Sequence, residues 1–212
     1  MRAGLTSWSA TLLLCWAAFT AHAAPADDFQ RGQLAFHRGD VVGAMSALRP
    51  AAQAGHGPSQ ALLAFILDRA DFPDQALVLY RDAAAQGEVE GQAGLANAYL
   101  TGRGVAKDEK QAAVHFSKAA DGGHARAIEA MADAWLKGQW GLDAAADGPA
   151  ARAALLRAAE RGHLPSAEAL ARAFAQGGYG LAADKTEAGR WQARVADLRK
   201  QRSASTAAKA SR

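Results

Sequence analysis

Four segments of the chain end alike: Ala51-Ala-Gln-Ala-Gly55, Ala83-Ala-Ala-Gln-Gly87, Ala119-Ala-Asp-Gly-Gly123 and Ala158-Ala-Glu-Arg-Gly162. Their closing glycines lie 32, 36 and 39 residues apart. Eight residues past each glycine a second block recurs, as Leu63-Ala-Phe-Ile-Leu67, Leu95-Ala-Asn-Ala-Tyr99, Met131-Ala-Asp-Ala-Trp135 and Leu170-Ala-Arg-Ala-Phe174. Seven residues before each glycine stands a bulky apolar residue (Leu48, Tyr80, Phe116, Leu155), and four before that an alanine (Ala44, Ala76, Ala112, Ala151). A partial earlier copy ends Ala35-Phe36-His37-Arg38-Gly39. So many registers held across four copies leave few architectures open. A period near 35 residues is the signature of stacked supersecondary units.

Each unit reads as two helices, A and B. The Leu-Ala-x-Ala-aromatic block of helix A sets two large side chains one turn apart beside small residues. Helix B carries its apolar residues at spacings of four, three and one, a single stripe. The spacing glycine follows helix B, where a left-handed residue is favoured. A lone pair cannot bury its stripe, so the units must stack into an all-α, α/α solenoid of about five helix-turn-helix repeats. The pairs are expected at about 26–55, 57–87, 89–123, 125–162 and 164–200. Residues 203–212, SASTAAKASR, hold no large apolar side chain and are expected to be a disordered basic tail.

The ends carry separate information. Residues 1–23 combine Arg2, an apolar run from about Leu12 to Phe19 and the small-x-small triplet Ala21-His22-Ala23, the pattern of a cleaved signal peptide. The run is shorter than the ~20 residues a bilayer span needs. Periplasmic or secreted localisation follows, with no transmembrane segment after cleavage. The single cysteine, Cys15, lies inside this segment, which leaves the mature chain without thiol chemistry. The net charge of +3 is uneven. Of 24 basic residues, Arg2 and five beyond Leu198 lie outside the body, leaving 18 against 21 acids between residues 24 and 198. The body has no basic stripe interleaved with aromatics, so nucleic acid is not an expected partner.

The pattern Leu95-Ala-x-Ala-Tyr99-x-x-Gly102-x-Gly104-Val105-x-x-Asp108-x-x-x-Ala112, followed by Lys118-Ala-Ala-x-x-Gly123-His, resembles the Sel1-like repeat, a relative of the tetratricopeptide repeat. That resemblance implies an α/α solenoid acting as an adaptor or scaffold in protein complexes. Some exported members of the family are rich in cysteine, with disulfides bracing each repeat. This chain departs from them, and activities suggested for that subgroup do not carry over.

Candidate chemistry is thin. Gly102-Arg-Gly104-Val-Ala-Lys107 could be taken for a phosphate loop, but such a loop needs a preceding strand and a Ser or Thr heading the next helix. Here Asp108 stands at that position, and the sister loops Gly138-Gln-Trp-Gly141 and Gly177-Gly-Tyr-Gly180 lack lysine. His56, His124 and His163 each follow a spacing glycine, but one repeat apart is about 10 Å, too far to share a zinc held by ~2 Å bonds. No metal, no cofactor and no catalytic residue is expected. The residues left over lie on the outer turns of helix A: His37, Arg38, Phe65, Asp68, Arg69, Asn97, Thr101, Asp133, Lys137, Arg172 and Gln176. They vary from copy to copy over a fixed core, as a groove that binds a protein or peptide partner requires. The alternatives are an envelope hydrolase on the same scaffold, or cell-wall glycan held by the loop aromatics Trp140 and Tyr179.

Overall fold

The computed structural model describes residues 24–210; the expected signal peptide and Cys15 lie outside them. Ten helices succeed one another: α1 (Pro25–His37), α2 (Val41–Gln53), α3 (Gly57–Arg69), α4 (Pro73–Ala85), α5 (Val89–Thr101), α6 (Glu109–Asp121), α7 (Ala125–Lys137), α8 (Gly148–Glu160), α9 (Leu164–Gln176) and α10 (Lys185–Ala210). The first nine are each 13 residues long, about 20 Å at 1.5 Å per residue. The odd helices are the A members of their pairs and the even ones the B members.

Equal helices locate the drift in the repeat spacing. Every link from B to the next A is three residues, whereas the links from A to B lengthen from three (70–72) to seven (102–108) and ten (138–147). The B-to-A link is closed by a left-handed glycine, with φ of +85° at Gly55, +84° at Gly87, +87° at Gly123 and +96° at Gly162. A side chain there would be strained wherever space existed. The longer links begin with Gly102 and Gly138, both in the αL C-cap conformation. They end on aspartate caps: Asp108 Oδ1 accepts from Lys110 and Gln111 N–H, and Asp147 Oδ1 from Ala150 N–H. Val105 packs against the core, and Arg103 reaches back one repeat.

The repeated alanines mark the tightest contacts. Ala44, Ala76, Ala112 and Ala151 are each at most 1% exposed, and Leu48 and Leu155 are fully enclosed. Each helix packs on its sequence neighbours, and A helices also touch across pairs, α1 with α3, α3 with α5 and α7 with α9. Two contiguous cores result, and both are flanked by Tyr99, whose ring lies 5.6 Å from that of His115 and nearly parallel to it.

One expectation is corrected. Residues 203–210 are not a disordered tail but the continuation of α10, which is twice the length of the others. Alanine-rich composition favours the helix without any packing. Ser203 Oγ and Thr206 Oγ1 turn back onto the carbonyls of Lys200 and Arg202. Residues 203–209 are all exposed.

Candidate binding surface

The eleven candidate groove residues fall into three groups along the A helices. At the N-terminal end, Phe65 is 40% exposed and its ring meets Phe36 edge-on at 5.9 Å. The Arg69 guanidinium sits 5.7 Å from the Phe65 ring centre, within cation–π range. His37, the last residue of α1, lies 6.4 Å from Phe36, and Arg38 is the exposed cap of that helix. Phe36, Phe65 and Arg69 thus form one aromatic-cationic cluster bridging α1 and α3.

The middle group is largely occupied by internal bonds. Asp68 accepts from Arg103 Nε at 2.8 Å, and Arg103 Nη2 also reaches the Asp68 carbonyl at 2.8 Å and Asp71 at 3.1 Å. These hydrogen bonds, to Asp68 first, hold the guanidinium more firmly protonated than usual. Asp68 is therefore an inter-repeat clamp rather than a free recognition group. The amide of Asn97 donates to Ala93 O, and the hydroxyl of Thr101 to Asn97 O. Asp133 pairs with Lys137 at 3.2 Å and with His163 Nε2 at 3.3 Å.

Arg172 and Gln176 form the third group, on α9. They border an open cavity of about 480 Å³, with Gln192, Val195 and Arg199 of α10 on its other wall. Gln192 and Arg199 were not anticipated from the sequence. Sequence register had singled out outward positions of helix A alone, and both residues lie on a B helix. Phe36 and Arg103 were also missed as partners of the groove residues, because only the stacking of pairs brings them there.

The histidines after the spacing glycines are helix caps. His124 Nδ1 accepts from Ala127 N–H at 3.1 Å, while Nδ1 of His56 and of His163 lies 2.8 and 2.7 Å from the hydroxyls of Ser59 and Ser166. With Asp133 beside it, His163 completes a Ser-His-Asp series. Ser166, however, is fully buried, so its oxygen meets no incoming acyl group. The nucleophile, base and orienting group of a hydrolase must converge on a pocket; this trio converges on a helix start.

The loop aromatics are also spoken for. Trp140 stacks on Phe116 with ring centres 5.1 Å apart and planes at 10°, and both Trp140 and Tyr179 pack against the core. Each adopts a positive φ, 59° and 50°. At Gly148, an added Cβ would come within 2.9 Å of the Tyr179 backbone, so that loop seats directly on the start of α8. No group of three or more potential ligand side chains is placed to hold a metal ion among the described residues.

No protein-family model matches the chain, and no curated protein matches it. Solved structures do. A protective antigen present in uropathogenic Escherichia coli strains and displaying an SLR fold superposes with a TM-score of 0.61 and 24% identity over 82% of this chain. A Sel1 repeat protein from Oxalobacter formigenes superposes with a TM-score of 0.60 and 22% identity, again over 82%. The fold is the Sel1-like repeat solenoid. This Sel1-like solenoid spans 38% of the first protein and 70% of the second. Among its described residues no helix is long and apolar enough to cross a membrane.

Proposed function

We propose that this Sel1-like solenoid is an exported scaffold that holds a protein or peptide partner along its A helices. The observation that carries the reading is the contrast between two sets of positions in the same helices. The buried set repeats as small residues: Ala64, Ala96 and Ala132 are fully enclosed and Ala171 is 8% exposed. The position immediately after each is Phe65, Asn97, Asp133 and Arg172, which share no chemistry. A surface whose core is held constant while its outward groups differ from copy to copy is suited to reading an extended ligand one repeat at a time. Phe65, exposed yet fixed by Phe36 and Arg69, supplies the rigid aromatic anchor that binding hot spots favour. Export rests on the N-terminal segment, and the burial of Ser166 in the Ser166–His163–Asp133 series favours binding over covalent chemistry.

The test is capture from envelope extracts by crosslinking. The triple variant Arg69→Glu, Lys137→Glu, Arg172→Glu should lose the captured partner while keeping its helical circular dichroism. A partner retained by the folded triple variant places the binding surface elsewhere.

A further inference from the structure

We infer that the cavity between α9 and α10 is an anion subsite that receives a carboxylate of an acidic peptide. The inference rests on the groove reading above and names the chemistry at one end of it. At the outward position of helix A the sign of charge changes at α9, from Asp133 to Arg172. Asp133 is satisfied by Lys137 and His163. Arg172 has no carboxylate partner among the described residues. The one acid on the cavity wall, Glu168, is already bound by Arg199 at 2.7 Å.

The donors around the opening are therefore in excess. Arg172, Gln176 and Gln192 carry guanidinium and amide N–H groups, and Arg199 is neutralised by Glu168, which leaves the Arg172 charge in excess above the alanines and Val195. Ala171 and Val195 are 8% and 9% exposed, whereas Ala175 and Ala196 are open to solvent. A guanidinium with no internal partner can bind a carboxylate in a bidentate fork. The volume of about 480 Å³ admits one or two side chains of a peptide.

Fluorescence polarisation on the full chain tests the inference with three labelled dodecapeptides of one Gly/Ser frame. The first carries four glutamates and an amidated C-terminus; the second replaces them with glutamine; the third is the glutamine peptide with a free carboxylate. The acidic peptide should bind at least tenfold tighter than the amidated glutamine peptide at 50 mM NaCl, and weaken at 300 mM as screening sets in. Arg172→Gln should erase that difference, and Arg172→Lys should keep part of it, both with unchanged circular dichroism. Tight binding of the third peptide would identify a terminal carboxylate as the group held; preference for the first alone identifies side-chain carboxylates. The subsite is refuted if all three peptides bind alike, if none binds, or if Arg172→Gln changes nothing. The groove reading fails separately: the double variant Phe65→Ala, Arg69→Glu, remote from α9, should still lose the crosslinked partner even if no peptide distinguishes the subsite.

Discussion

Replacing glycine by alanine inside a helix ordinarily stabilises it by about 0.5–1 kcal/mol. In this solenoid the same substitution should act with opposite signs at two helical glycines. Gly189 of α10 has nothing within 4 Å of an added Cβ, so Gly189→Ala should gain roughly that amount. Gly91 of α5 lies against α4: the added Cβ would fall 2.7 Å from Ala83 Cβ, 2.8 Å from Ala84 N and 3.0 Å from Ala83 C. Comfortable carbon contacts lie at about 3.5–4.0 Å, so the seam must open by most of an ångström against backbone that has no rotamer to adopt. That movement would also stretch the 2.7 Å bond from the Gln92 amide to Ala84 O and loosen Tyr80 over Gly94. Overpacking of this kind costs about 1–3 kcal/mol, which exceeds the propensity gain and leaves Gly91→Ala roughly 1–2 kcal/mol less stable. Urea unfolding followed by circular dichroism at 222 nm reads both changes on one scale. If Gly91→Ala is as stable as the parent, or if the two variants shift in the same direction, the close packing of α4 on α5 is wrong.

Three further outcomes follow from the same structure. His115 sits half-buried beside Tyr99 with Nδ1 2.8 Å from Gln92 Oε1, and burial, with Lys118 nearby, lowers its pKa below the ordinary 6.5. The unfolded chain then takes up a proton that the folded one refuses. Stability from this group is complete above pH 6.5 and declines as pH falls below it, so the urea midpoint of His115→Gln should fall less than the parent's between pH 7.5 and 5. Arg103→Ala should lower the melting temperature at 20 mM NaCl, and the deficit should shrink but persist at 500 mM. Salt screens the aspartate pairs more than the bond to the Asp68 carbonyl; an unchanged melting temperature at low salt removes Arg103 as a clamp. Deleting residues 203–212 should reduce ellipticity at 222 nm without moving the melting temperature, since 203–209 are exposed. A large loss of stability would show that the end of α10 is packed on something.

The helix pairing was written in the sequence because each unit must bury the same stripe against the next, and that constraint repeats Ala44, Ala76, Ala112 and Ala151 in register with Gly55, Gly87, Gly123 and Gly162. Backbone demands of this sort act within a few residues, so a single chain displays them. The far end of α10 was misjudged for the converse reason: lack of large apolar residues argues against packing, but alanine helices form from local propensity alone. The surface was legible only as a set of outward positions. Sequence register placed Phe65, Asp68 and Arg172 on helix A but could not rank them, because the neighbours that decide their roles sit on other helices or their links, 20 to 35 residues away along the chain. Tertiary stacking decided that Phe65 is fixed by Phe36, that Asp68 is consumed by Arg103, that Ser166 is sealed beneath His163, and that Arg172 borders an open cavity with no carboxylate partner among the described residues. Local helix chemistry is periodic and survives in sequence; the pairing of charges depends on which side chains of different helices come within about 3 Å, and only the assembled solenoid sets that.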